Sequence, residues 1–132
     1  MAVQFSVAVR NARVNAIETT VGTSPKLQLR TGAQPANCAA ANSGTLLAEL
    51  PLPSDWANAG SSGASTLLGS WTGTAVATGT AAHYRLQDNA GTTCHEQGTV
   101  GQGSGDLSLD NSSIVSGQTV TISTWTTTDG NA

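Results

Sequence analysis

Charge, aromatic rings and cysteine are all scarce in this chain. Charged residues make up 10% of its 132 positions, five Lys plus Arg against eight Asp plus Glu, for a formal net charge of -3. So few cations make a poor phosphate-binding surface, and no direct nucleic-acid partner is expected. No run approaches the ~18 uninterrupted apolar residues of a membrane span, so no membrane partner is expected either. The stretch from Met1 to Val9 has no basic region ahead of its apolar residues, because Arg10 and Arg13 come after them. No secretory signal is read there, and synthesis in the cytoplasm is expected. In that reducing compartment the two cysteines, Cys38 and Cys94, default to free thiols. A disulfide is the alternative for a protein that ends up outside the cell.

Large apolar residues are also few. Leu, Ile, Val and Phe total 24, while alanine alone supplies 19 positions and Gly, Ala, Ser and Thr together supply 67. That is below the roughly 20% guide for ordered chains, but disorder also needs the high net charge that is missing here. The expectation is one domain, residues 1–132, with a lean core that association with a partner can complete.

One helix is expected, over residues 6–21. Val3, Val7, Arg10, Val14, Ile17 and Val21 recur at steps of four and three, a helical stripe interrupted by Arg10. Ser6 suits the N-cap, and Gly22 and Pro25 suit the stop. Val3, Phe5, Val7 and Val9 also alternate, so residues 1–5 are read as an extended arm. Beyond Pro25 the period becomes two. Strand patterns run through Leu27–Arg30, Leu46–Leu52, Leu67–Trp71, Ala82–Gln87, Thr92–Val100, Asp106–Asp110 and Val120–Trp125. In the last of these, Val120 and Ile122 are placed opposite Thr121, Ser123 and Trp125. Asp88-Asn89-Ala90-Gly91 is a hairpin link. The fold class is therefore mainly β: an antiparallel sandwich or jelly roll of about eight strands over residues 26–127, preceded by one helix. Residues 31–44 and 53–65 lack periodicity and read as long loops, which often form contact surfaces.

Motifs for chemistry are weak. Cys38, Cys94, His83 and His95 have the count for zinc but not the spacing, since Cys94 and His95 are adjacent in a strand and point to opposite faces. No Gly-x-Ser-x-Gly elbow is present. Cys94 with His83 on a paired strand is a conceivable nucleophile and base, with a structural thiol as the plainer reading. Asp106 and Asp110 bracket a short strand as solvated ends. Gly101 to Asp106 is a hairpin loop, because a strand and not a helix follows it. No catalytic residue, cofactor or metal is expected, and the chain is not read as an enzyme. Trp56, Trp71 and Trp125 pose a choice between core volume, protein interface and an exposed platform for sugar rings.

The run Arg10-Asn11-Ala12-Arg13-Val14-Asn15-Ala16-Ile17-Glu18, followed by Gly22, Pro25 and Leu27 to Arg30, resembles the opening of a family of small virion proteins of tailed bacteriophages. The likeness continues through Gly44-Thr45-Leu46-Leu47-Ala48-Glu49, Thr93-Cys94-His95-Glu96-Gln97-Gly98-Thr99-Val100 and Ser116-Gly117-Gln118-Thr119-Val120-Thr121-Ile122. These are similar to capsid cement, or decoration, proteins. The resemblance implies a jelly-roll-like domain on the exterior of the capsid. There, as a homodimer or trimer, it would bridge neighbouring major capsid proteins, with no cofactor and no catalytic residues. Val3, Phe5, Val7, Arg10, Arg13 and Trp56 are the expected capsid or oligomer contacts, with two readings for the arginines: pairing with an acidic capsid patch, or lying in solvent while the helix packs on the sandwich. A tail or head-fibre component and a carbohydrate-binding sandwich are the alternatives.

Overall fold

The computed structural model describes residues 3–130. Met1 and Ala2, the first residues of the expected arm, lie outside the described residues, and residues 3–6 carry neither helix nor strand. Helix α1 spans Val7–Val21. Ser6 caps it, its hydroxyl accepting the Val9 N–H at 3.3 Å. Gly22 ends it at φ 90, a conformation that glycine adopts without strain, and returns its N–H to Glu18 O.

Strands follow in the order β1 (Lys26–Arg30), β2 (Leu46–Pro51), β3 (Ala64–Thr66), β4 (Thr72–Thr74), β5 (Gly79–Thr80), β6 (His83–Gln87), β7 (Cys94–Gly101), β8 (Leu107–Leu109), β9 (Ser113–Ile114) and β10 (Thr119–Thr128). The mainly β class with one N-terminal helix is thus the architecture the chain adopts. The principal sheet has eight strands in the order β2-β1-β6-β7-β8-β10-β3, with β4 also on β10, while β5 and β9 pair separately. It curls until β2 meets the segment that follows β4: Ala48 bridges Ala75, and Val76 N–H donates to Leu47 O at 2.7 Å.

Three local expectations are corrected. The Leu67–Trp71 run is not a strand; its neighbours Ala64–Thr66 and Thr72–Thr74 pair with β10 instead. β7 and β8 run parallel, Val100 opposite Leu107, because the glycine-rich link crosses over rather than making a hairpin. Trp125 lies on the core face with Val120 and Ile122, not opposite them. The β8–β10 register slips between Ile122 and Thr124, so Ser123 is an extra residue that reverses the alternation after it.

The core combines Leu27, Leu29, Leu47, Leu50, Leu86, Leu107 and Leu109 with Trp56, Trp71 and Trp125, all at most 2% exposed. The tryptophan rings lie 5.3–5.9 Å apart by centroid, tilted against one another as aromatic quadrupoles prefer. In a chain this lean in large residues, three indoles supply core volume that alanine cannot.

Candidate functional site

The expected contact residues separate into two groups. Val3 and Val7 are exposed, at 68% and 53%, and Val9 beside them at 43%. All three lie at the N-terminal end of the chain, but Val7 and Val9, two residues apart in α1, point to different sides of the helix. The others are engaged within the chain. Phe5 is half-buried, with the Arg13 guanidinium 4.9 Å above its ring centre. Arg13 also lies 2.8 Å from Asp129 Oδ2, an ion pair without an aligned hydrogen bond. Arg10 turns inward, its Nε donating to Asp129 O at 2.9 Å and its Nη2 to Ser62 O at 3.2 Å. Both arginines have partners within the chain, and Arg13 remains exposed beside its ion pair, its side chain 50% accessible. Trp56 is fully buried and is not a surface contact residue. Its indole N–H donates to Gly22 O at 3.0 Å, fastening the end of α1 to the core.

The buried stripe of α1 is shifted from the expected one. Val14 and Val21 are buried and Ile17 partly so, but Arg10 is only half-buried and Val7 and Val3 are exposed. The contact face instead includes Asn11, Asn15 and Glu18, one helical face at steps of four and three. Their side chains accept backbone N–H groups of Gly63 (2.8 Å), Gly60 (2.7 Å) and Ala57 (2.7 Å). Each satisfies a backbone donor of an irregular segment that would otherwise have no partner in the fold. Hydrophobic periodicity misses this clamp because its residues are polar. The only sequence signal is that Asn11, Asn15 and Glu18 share a helix face. Residues 53–65, read as an open contact loop, are largely spent on holding the helix.

The second long loop, residues 31–44, is spent in the same way. It covers the face of the sheet opposite the tryptophans, so β6 is buried along its whole length. Arg85, 1% exposed, organises this layer. Its Nη1 donates to Ala40 O at 3.0 Å and Asn42 Oδ1 at 2.8 Å, its Nη2 to Cys38 O at 2.8 Å, and its Nε to Cys94 Sγ at 3.2 Å. Gln28 and Gln87 exchange amide hydrogen bonds beside it, and Gln28 also donates to Glu49 Oε2 at 2.9 Å. Burial, and next the nearby Arg85 charge, hold the Arg30 pKa below its usual value, with Glu49 opposing.

Cys94 and Glu96 are sent to opposite faces by a second bulge. Gln87 faces Cys94 but Leu86 faces Glu96, leaving His95 as the extra residue. Cys94 joins the arginine layer. Glu96 points to the core side, where its Oε2 accepts the Tyr84 hydroxyl at 2.6 Å and the Trp125 indole N–H at 2.9 Å. Burial first, and then the negative Glu96, push the Tyr84 hydroxyl far above its ordinary pKa.

Residues weighed for catalysis do not assemble. His83 stands opposite Thr99 and Cys94 opposite Gln87, on different rungs of the β6–β7 ladder. His83 Nδ1 is instead 2.9 Å from Gly32 O. Asp106 accepts the backbone N–H and hydroxyl of Thr99, and Asp110 accepts the N–H groups of Asn111 and Thr121. Among the described residues no group of three or more His, Cys, Asp or Glu is placed to hold a metal ion, and no helix is long and apolar enough to cross a membrane. The sugar-platform reading of the tryptophans is overturned by their burial, since no indole face is presented to solvent.

Comparison with family models, curated proteins and solved structures finds no match.

Proposed function

We propose that this chain is a structural virion protein, a capsid cement subunit on the outside of a tailed-phage head. It bridges neighbouring major capsid proteins and raises the cost of separating them. A ligand that binds only the assembled lattice stabilises it by mass action, and many copies multiply a modest energy per contact. The protein acts as a small homo-oligomer, a dimer or trimer, and by adhesion rather than by turnover.

The observation that carries this reading is the resemblance of four separate segments to that family, together with the work those segments do here. Arg10–Glu18 is the clamped helix, Leu46–Glu49 lies in β2, Cys94–Val100 in β7 and Thr119–Ile122 in β10. The likeness therefore falls on the frame of the fold. Val3 and Val7, exposed at the N-terminal end of the chain, supply apolar surface beyond the part of the helix that Asn11, Asn15 and Glu18 fasten.

The test is to count the chain in purified particles and to locate it on them. Capsid-like copy number with label over the head surface is expected. Confinement to the tail, or absence from mature particles, would sink the reading. A Val3→Ser, Val7→Ser double variant should keep its melting temperature and lose head occupancy. Undiminished occupancy would remove the N-terminal face from the contact.

A further inference from the structure

Two cysteines far apart in sequence line one cleft of about 360 Å³, together with Asn42, Arg85, Gln87 and Thr92. Both are free and half-buried. Cys38 sits in a turn held by Asn37, whose Oδ1 accepts the N–H groups of Ala39 and Ala40, each at 3.0 Å. Cys94 begins β7, aimed at the same layer by the His95 bulge. One guanidinium spans the pair: Arg85 Nη2 holds the Cys38 carbonyl at 2.8 Å while Nε donates to Cys94 Sγ at 3.2 Å. Cys94 Sγ also lies 3.4 Å from Glu96 O, to which its S–H can donate.

We propose that Cys38 and Cys94 are a redox-modification site, a dithiol that small disulfides such as oxidised glutathione convert into an intramolecular disulfide tying loop 31–44 to β7. The deprotonated Cys94 sulfur attacks one sulfur of glutathione disulfide. That S–S bond breaks and one glutathione thiolate leaves, taking a proton from water. Cys38 then loses its proton to solvent and attacks the Cys94 sulfur of the mixed disulfide, and the second glutathione leaves. Two protein thiols are oxidised and one small disulfide is reduced. The order of attack follows from the surroundings. Burial, and then the neighbouring Cys94 side chain, push the Cys38 thiol up to about 11, so it is a poor first nucleophile. The Arg85 Nε–H, by contrast, points at the Cys94 sulfur, where negative charge is carried during attack. The surrounding loop has no regular structure, so it can adjust to the narrow geometry a disulfide demands. This inference stands apart from the capsid reading and would hold for a chain of another role.

The full-length protein is incubated with excess oxidised glutathione in mildly alkaline buffer, then alkylated and weighed without reduction. The expected product is a monomer lighter by two hydrogens, resistant to alkylation, with the Cys38 and Cys94 peptides linked. Cys38→Ser should stop at a single glutathione adduct on Cys94. Cys94→Ser should acquire its adduct at Cys38 at least ~10-fold more slowly. Retention of two alkylatable thiols, two glutathione adducts or covalent dimers in the wild-type chain would overturn the proposal. Equal adduct rates in the serine variants would overturn the order of attack. The wild-type measurement decides the disulfide even if a serine variant folds poorly.

Discussion

The Gly60 N–H donates to Asn15 Oδ1 at 2.7 Å, and a Cβ at position 60 would lie 2.6 Å from Val14 Cγ2 and 2.9 Å from Asn11 O. Helix and segment 57–63 are thus in backbone contact, and only glycine permits it at this point. Gly60→Ala should push the segment off the helix at a cost of about 1–3 kcal/mol. Asn15→Ala should cost about 1 kcal/mol by leaving the Gly60 donor unpaired. Denaturant melts check both. Wild-type stability in Gly60→Ala would show that the clamp is not a close-packed contact.

Tryptophan accessibility is the second prediction. Trp56, Trp71 and Trp125 are all buried, so native emission should be blue-shifted and resist iodide quenching until the chain unfolds. Trp71→Ala should cost about 3–5 kcal/mol, because the void left by an indole among two others cannot close. Efficient quenching of the folded protein would contradict this packing and revive the exposed-platform reading.

Arg85 is the third. Arg85→Met keeps the buried stem and deletes the donors that hold Ala40 O, Cys38 O and Asn42 Oδ1. A loss of about 2–4 kcal/mol is expected from hydrogen bonds to a charged group and the acceptors left unpaired. Amide exchange across residues 33–44 should rise with it. Arg85→Lys should recover little, because a single ammonium cannot reproduce the planar fork. Unchanged exchange in the methionine variant would show that the loop is held by something else.

Tyr84 makes the stability sensitive to alkali. Its folded pKa is raised above the ordinary phenol value of 10.0. The folded state therefore keeps a proton that the unfolded state releases, and stability falls as pH rises above that value. The slope attributable to one such proton is about 1.4 kcal/mol per pH unit, fully absent below the ordinary value. Tyr84→Phe should be less stable near neutrality, having lost the bond to Glu96, and should show a flatter decline in alkali. Parallel declines in both proteins would assign the sensitivity to other groups.

Much of the frame was legible from residue order alone. Ser6, Gly22 and Pro25 bracket the helix, and the alternation at Leu27–Arg30, His83–Gln87 and Leu107–Leu109 marks strands that form. What was not legible turns on single inserted residues and on polar packing. Ser123 and His95 each add one residue to a ladder, which reverses every side chain beyond them. That is why alternation alone puts Trp125 on the wrong face. The clamp on α1 is written in Asn11, Asn15 and Glu18, which carry no hydrophobic signal, so the apolar stripe of Val3, Val7 and Arg10 was extended too far towards the N-terminus. Nothing in the residues around Trp56 distinguishes a buried indole from an exposed one, so its place in the core is not legible there.

By itself, then, the order of residues determined the class of fold, the single helix and most strands, since periodicity and caps act over a few positions. Only the tertiary structure decided which loops close over the sheet, which face each tryptophan takes, and that Cys38 meets Cys94 beside Arg85. Those outcomes depend on strand register and on contacts between segments distant in sequence, and neither is encoded in any local pattern.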